Sequence, residues 1–237
     1  MNILITGCGR GIGYQTALIL SAHKEVHVLA LSRNKKNLER LQEEVIKQNK
    51  EAVFSPLVFD MEKDNFSELV KRIKEKAGKI DVLINNAATI VVKPFEELTE
   101  EDFEQVYRIN VFKTAALIKQ LIPLMERSRN EKSHIVNISS MGGFQGSAKF
   151  AGLSAYSSSK SALCGLTECL AEEFKTKQIA VNCLCLGAVD TDMLREAFPG
   201  YKASVTAKEM GNYISWFALN GQHYHNGKII PVSSGTP

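Results

Sequence analysis

Tyr156 and Lys160, separated by Ser157-Ser158-Ser159, are the residues of this chain best placed for proton chemistry. The run that follows, through Leu163, Thr167, Leu170 and Phe174, recurs at helical spacing, and on a helical wheel Tyr156 and Lys160 fall on that same apolar stripe. An ammonium one turn from a phenol favours the phenolate. It pulls a hydroxyl of reference pKa about 10 toward neutrality, where the group serves as an acid or a base. Each pKa unit corresponds to about 1.4 kcal/mol, so a large shift requires a close, poorly screened charge. Taken alone, the pair also fits a lysine that snorkels from the first turn of an ordinary amphipathic helix.

A second constellation stands near the start of the chain, in Thr6-Gly7-Cys8-Gly9-Arg10-Gly11-Ile12-Gly13. It joins an apolar run to a helix-period segment. Backbone N–H groups and the helix N-terminus there can meet a pyrophosphate, and the candidates for that contact are Gly7, Arg10, Gly11, Ile12 and Gly13. A tight turn with close helix packing, or the loop of a methyltransferase, would look similar. About twenty residues further on, where an NAD site places an acidic residue for the ribose hydroxyls, the chain has Leu31-Ser32-Arg33. Arg33, with Arg10 inside the loop, suits a 2′-phosphate, which favours NADP(H) over NAD(H). A solvent-exposed arginine at a strand end is the competing reading of Arg33.

The elements that must position these groups alternate along the chain. Apolar, β-rich runs are expected as strands at 2–6, 26–31, 52–59, 80–84, 134–139, 179–186 and 228–232, with helix-period segments between them. This alternation predicts an α/β fold, a parallel sheet of about seven strands covered by helices on both faces. One domain over 1–237 is expected, because no repeat, low-complexity segment or Pro/Gly/Ser linker divides the chain. Pro56 cannot donate to a ladder, so its strand is expected to pair only from Leu57 onward or to lie near an edge.

Composition is that of an ordinary globule, with 44% hydrophobic and 23% charged residues in 237. The net charge of +3, from 29 basic and 26 acidic residues spread along the chain, gives no reason to expect nucleic acid or membrane as a partner. No leader precedes the first strand and no apolar stretch approaches the roughly 20 residues of a membrane span, so a cytoplasmic location is expected. Cys8, Cys164, Cys169, Cys183 and Cys185 lack zinc spacing and nearby histidines, and read as reduced core or loop residues with no metal.

In its ordered motifs the chain resembles the short-chain dehydrogenase/reductase family over nearly its whole length. The glycine loop is similar to the family's Thr-Gly-x-x-x-Gly-x-Gly, and Asp60, at the end of the third strand, matches the aspartate that bonds the adenine amino group. Asn85-Asn86-Ala87-Ala88 resembles Asn-Asn-Ala-Gly, with a departure at Ala88. Asn110, in Arg108-Ile109-Asn110-Val111, sits inside an otherwise regular helical pattern from Glu100 to Met125; it matches an asparagine that in the family bends the helix and holds a water linked to the lysine. Ser140 matches the residue that orients the substrate carbonyl, with Ser139 and Ser154 as weaker candidates. Leu186-Gly187-Ala188-Val189-Asp190-Thr191 resembles Pro-Gly-x-Val-x-Thr, whose backbone and threonine hold the nicotinamide carboxamide. Leu186 replaces the proline, and Val232-Ser233-Ser234-Gly235 departs from Val-Asp-Gly-Gly.

The resemblance implies a single-domain, Rossmann-type, doubly wound sheet with NADP at its switch point, binding through the glycine loop, Arg33, Asp60, Asn86, Ala87, Tyr156, Lys160, Val189 and Thr191. It implies reduction of a ketone or aldehyde with Tyr156 as general acid, Ser140 and Lys160 as its partners and Asn110 behind them. Oxidation of an alcohol by the same residues and a non-catalytic NADP sensor are the alternatives. A homodimer or homotetramer is expected on the same basis. The segment 193–207 is short for a substrate lid, which suggests an open, shallow site, and Lys149-Phe150-Ala151-Gly152 is extra loop before Tyr156.

Overall fold

The computed structural model describes residues 1–128 and 131–233. Seven strands form one sheet, and each is an apolar run in the sequence: β1 (Asn2–Thr6), β2 (His27–Ser32), β3 (Val53–Val58), β4 (Val82–Asn85), β5 (Ser133–Ser140), β6 (Ile179–Leu186) and, last in the chain, β9 (Ile229–Val232). The order is β3-β2-β1-β4-β5-β6-β9 and every pairing is parallel. The direction of winding reverses between β1 and β4. This is the doubly wound arrangement expected from the sequence, and it opens a crevice at the carboxyl ends of those two strands.

Alternation along the strands builds a core on each face. Ile3 and Ile5 turn one way, to α1 (Gly11–Leu20), α2 (Lys35–Gln48) and α8 (Ala207–Asn220). Leu4 turns the other way, to α3 (Phe66–Ala77), α5 (Thr114–Met125) and α6 (Ser154–Glu173). Burying each such side chain is worth roughly 1.5–3 kcal/mol. Burial on both faces is why the central strands β1, β2 and β4 read as nearly continuous apolar runs.

At three places the structure adds to or corrects the sequence reading, the first by deciding between two alternatives. β3 is an edge strand, and it pairs with β2 from Val53 onward, with Pro56 opposite Ala30; the edge position, not a delayed start, accommodates the proline. The helix expected from Glu100 to Met125 is two helices, α4 (Glu100–Tyr107) and α5, joined by a π-helical turn over Arg108–Lys113. The Thr114 hydroxyl donates to the Ile109 carbonyl five residues back, at 3.2 Å. A short parallel ribbon not foreseen from the sequence, β7 (Val189–Asp190) with β8 (Val205–Thr206), brackets α7 (Asp192–Ala197). Ser234 and Gly235 lie outside the described residues.

Candidate active site

The crevice begins at the turn after β1. Gly7 has φ +76° and Gly11 φ +61°, the left-handed region that favours glycine. A Cβ on Gly7 would lie 2.9 Å from the Ala87 Cα, and one on Gly13 would lie 2.5 Å from the Gly7 carbonyl oxygen. Gly13 therefore does not line the crevice; its bare Cα lets α1 close on the loop. The Thr6 hydroxyl oxygen accepts from the backbone N–H of Asn86 (3.0 Å) and Ala87 (2.9 Å), and the Asn86 amide donates back to the Thr6 carbonyl (3.0 Å). Thr6 thus staples the ends of β1 and β4 together, a role that sequence reading did not assign to it.

The crevice has a volume of about 720 Å³, within the range of small-molecule sites. Gly7, Arg10, Gly11 and Ile12 line it from the glycine loop, Arg33 from the end of β2, Asp60 beyond β3, and Asn86 and Ala87 from the end of β4. Ser32 lines it too, packed so tightly on the loop that a Cβ on Gly9 would fall 2.6 Å from its hydroxyl. Arg33 is exposed and makes no ion pair or hydrogen bond to the described residues. Arg10 differs: its guanidinium holds Glu196 of α7 in a bidentate pair at 2.5 and 3.1 Å, so its charge is already matched. One Asp60 carboxylate oxygen accepts from the Glu62 N–H at 3.0 Å.

At the other end Ser140 closes β5, and Tyr156 and Lys160 occupy the first turns of α6. The Lys160 ammonium is buried, donates to the Ile138 carbonyl at 2.7 Å and lies 5.7 Å from the centroid of the Tyr156 ring. Burial pushes the Tyr156 phenol up to about 12, and the Ser140 hydroxyl beside it pulls it back only in part. Burial likewise pushes Lys160 down to about 8. The expectation that Lys160 brings the phenol toward neutrality is therefore corrected here. Desolvation prevails because the ammonium spends its hydrogen bond on Ile138 and faces the ring.

Asn110 is buried in the π turn and does not line the crevice. Its carbonyl accepts from the Thr89 N–H (2.9 Å), and its amide donates to the Thr89 carbonyl (3.0 Å) and the Ser159 hydroxyl oxygen (2.9 Å). Ser159 in turn donates to the Tyr156 carbonyl at 2.7 Å. Asn110 thus links the chain beyond β4 to the turn that carries Tyr156. Ser139 and Ser140 both line the crevice and Ser154 does not; the Ser139 hydroxyl donates to the Lys160 carbonyl at 2.9 Å, while the Ser140 hydroxyl stands beside the Tyr156 phenol.

Val189 and Thr191 line the roof, where the Thr191 hydroxyl oxygen caps α7 by accepting from Leu194 N–H at 3.2 Å. The short lid does not leave the site uncovered. Phe150, from the extra loop, packs on Phe198 with ring centroids 6.4 Å apart, and both line the crevice with Tyr201, Met141 and Leu153. Sequence reading noted both segments but had no signal that they meet.

A twisted parallel sheet with a glycine loop at its switch point, facing a phenol and an ammonium across one crevice, defines an oxidoreductase that works with a nicotinamide dinucleotide. The chain belongs to the short chain dehydrogenase family, whose model matches residues 1–202. Members of this family act on CH–OH and C=O groups. The chain is 30% identical to the 3-oxoacyl-[acyl-carrier-protein] reductase FabG of Thermotoga maritima, over 98% of this chain and 96% of that protein. It is 29% identical to the L-2,3-butanediol dehydrogenase of Corynebacterium glutamicum, over 98% and 96%. A short chain dehydrogenase structure from Shigella flexneri, complexed with NADP, superposes with a TM-score of 0.87 at 26% identity, over 97% of this chain and 95% of that one.

Proposed function

We propose that the chain is an NADPH-dependent carbonyl reductase that converts a ketone or aldehyde to an alcohol, working as a single domain within each subunit. The observation that carries this reading is geometric: the Tyr156 phenol lines the crevice with Ser140 beside it and the buried Lys160 ammonium 5.7 Å from its ring centroid. Reduction needs a proton donor at the oxygen on which negative charge builds, and a phenol pushed up to about 12 keeps its proton across the working pH range.

Bound in the crevice, NADPH supplies the hydride. The glycine loop fits its pyrophosphate, since Gly7 and Gly11 line the crevice in left-handed backbone that a larger residue would strain, leading into the N-terminus of α1. Arg33 is the cation available to a 2′-phosphate, and no acidic residue stands beside it in Leu31-Ser32-Arg33 to prefer free ribose hydroxyls. The NADP held by the Shigella relative supports this choice. Ser140 orients the carbonyl, Tyr156 gives the proton, and Lys160 binds the nicotinamide ribose. Asn110 fixes the Tyr156 turn and supports proton return. The aromatic roof of Phe150, Phe198 and Tyr201 suits a carbonyl with an apolar substituent.

A homodimer or homotetramer in the cytoplasm completes the proposal. Phe112, exposed beside α5, is the kind of surface a second subunit covers, and sedimentation would read the association state. Among the described residues no helix is long and apolar enough to cross a membrane.

The test is Tyr156→Phe. NADPH should still bind, while NADPH oxidation across a panel of ketones and aldehydes falls by at least about two orders of magnitude. Near-normal turnover in that variant would remove Tyr156 from the chemistry.

A further inference from the structure

Cys183 and Cys185 alternate on β6, so the pleat turns both side chains to the face covered by α6. Cys164 stands on α6 one turn beyond Lys160. The three sulfurs converge: Cys164 Sγ lies 3.9 Å from Cys183 Sγ and 3.6 Å from Cys185 Sγ, and all three lie within 4.8 Å of one another. The Ser139 hydroxyl oxygen is 3.5 Å from Cys164 Sγ. Met141, Phe144 and Ile229 wall the cluster, and none of the three cysteines lines the dinucleotide crevice. Among the described residues this is the one group of metal-ligating side chains so arranged.

We infer that Cys164, Cys183 and Cys185 form a binding site for one soft divalent cation of the zinc class, with the Ser139 hydroxyl as fourth donor. The reading of these cysteines as plain core residues rested on their sequence spacing, which does not show that a helix and a strand bring them together.

The geometry is already close to what such an ion requires. Zinc–sulfur bonds of about 2.3 Å and a zinc–oxygen bond of about 2.1 Å at tetrahedral angles separate sulfurs by about 3.8 Å and sulfur from oxygen by about 3.6 Å. The separations around Cys164, 3.6 and 3.9 Å between sulfurs and 3.5 Å to oxygen, need little adjustment, and Cys183 and Cys185, within 4.8 Å of each other, need draw together by at most about 1 Å. The donor set selects the ion. Thiolates favour zinc, cadmium or cuprous ions, and without a carboxylate in the group calcium and magnesium gain nothing.

Charge balance follows from the neighbours. Three thiolates and a dication leave one negative charge in a dry pocket, and the buried Lys160 ammonium, which feels all three sulfurs, offsets it. Binding releases the three thiol protons to solvent as three metal–sulfur bonds form, and no electron changes hands. The ion would tie α6 to β6 and stabilise the folded chain by mass action.

The experiment titrates the full chain, kept under a phosphine reductant and freed of metal with a chelator, with cadmium(II) as spectroscopic probe and with zinc by equilibrium dialysis. The expected result is thiolate-to-cadmium charge-transfer absorbance that saturates at one ion per chain, with release of about three protons and a raised melting temperature. Cys164→Ala and Cys183→Ala should lose the signal, and Cys169→Ala, exposed on the same helix, should keep it. No charge-transfer band in the unmutated chain overturns the inference, whatever the variants do. A band that survives Cys183→Ala or vanishes in Cys169→Ala overturns it as well. None of these readouts depends on the reaction proposed for Tyr156.

Discussion

Gly143 sits where the turn after β5 presses on α6, and replacing it by alanine tests whether the placement of that helix sets the rate. A Cβ there would lie 2.6 Å from the Lys160 carbonyl carbon, 2.7 Å from its Cβ and 2.8 Å from the Ser161 nitrogen. The Gly143 φ is not left-handed, so contact alone is at issue. Ordinary carbon contacts are about 3.5–4.0 Å, which requires the Lys160 turn to retreat by about 1 Å. Overpacking of this kind costs about 1–3 kcal/mol, less than the about 5–15 kcal/mol that holds a typical domain folded. The chain should remain folded, with its melting temperature lowered by roughly 2–12 °C. Activity should suffer more, because misplacing reacting groups by about 1 Å costs about a hundredfold in rate, or about 2.7 kcal/mol of barrier. Turnover would be followed by NADPH absorbance, cofactor binding by fluorescence and stability by calorimetry. A variant that melts lower yet turns over at the unmutated rate would refute the claim that the Tyr156–Lys160 turn must be held in place. An unchanged melting temperature would show that the contact yields without cost.

Arg33→Ala should weaken NADPH binding by about tenfold or more and leave NADH binding nearly unchanged, as expected for losing a charge-assisted phosphate contact; equal losses for both would contradict the cofactor assignment. His134 is buried, in hydrogen-bonding contact with the Ala218 carbonyl at 3.2 Å and the Asn182 amide at 3.0 Å, and burial pushes it down to about 4. Its folded value lies below the unfolded value of about 6.5, so its stabilising contribution is complete above about pH 6.5 and is lost as pH falls through about 4. Denaturant midpoints measured from pH 7 to pH 4 should fall less steeply in His134→Gln, and identical slopes would clear His134 of the effect. Phe150→Ala should raise KM for bulky apolar ketones by about tenfold, the equivalent of about 1.4 kcal/mol of lost contact, with little change for small ones. A uniform rise across the panel would mean that the Phe150–Phe198 contact does not meet the substrate.

The parts legible in the sequence are those fixed by local periodicity. The central strands β1, β2 and β4 are apolar on both faces because helices cover both, so burial shows in them as nearly continuous runs, whereas β5 carries buried Ser133, His134, Asn137 and Ser139. The glycine loop is legible because left-handed backbone at Gly7 and Gly11 needs a particular residue type. The parts that were not legible depend on where distant segments land. Arg10 and Glu196 are separated by 186 positions, and no spacing rule would have matched the loop arginine to a lid carboxylate instead of to a phosphate. The direction of the Tyr156 shift likewise depends on how deeply the hydroxyl lies and where Lys160 sends its hydrogen bond, neither of which a helical wheel contains. The π turn at Asn110 leaves no mark on the helical pattern from Glu100 to Met125, because one extra residue in a turn hardly disturbs the apolar period; only the resemblance pointed to a bend there.

The site's two halves are built differently, and this bears on the positions where the chain departs from its family's motifs. The dinucleotide half is made largely of backbone. Ala88 stands where a glycine is usual, yet among the described residues the only non-glycine with left-handed φ is Gln178, so Ala88 takes ordinary backbone that needs no glycine. Leu186 replaces a proline, and the loop it opens is still pinned, since β6 pairs with β9 through Leu186 and Gly187 N–H donates to the Val232 carbonyl at 2.9 Å. The reacting half is made of side chains on α6, and there the hydrogen bonds converge on the first two turns. Ser139 holds the Lys160 carbonyl, Asn110 through Ser159 holds the Tyr156 carbonyl, and Ser161 donates to the Gly143 carbonyl at 2.9 Å. Each is worth about 0.5–1.5 kcal/mol, and a sensor that only bound a dinucleotide would have no use for fixing this helix so closely. The departures fall where backbone does the binding and sequence matters least, so they supply no ground for preferring a non-catalytic role.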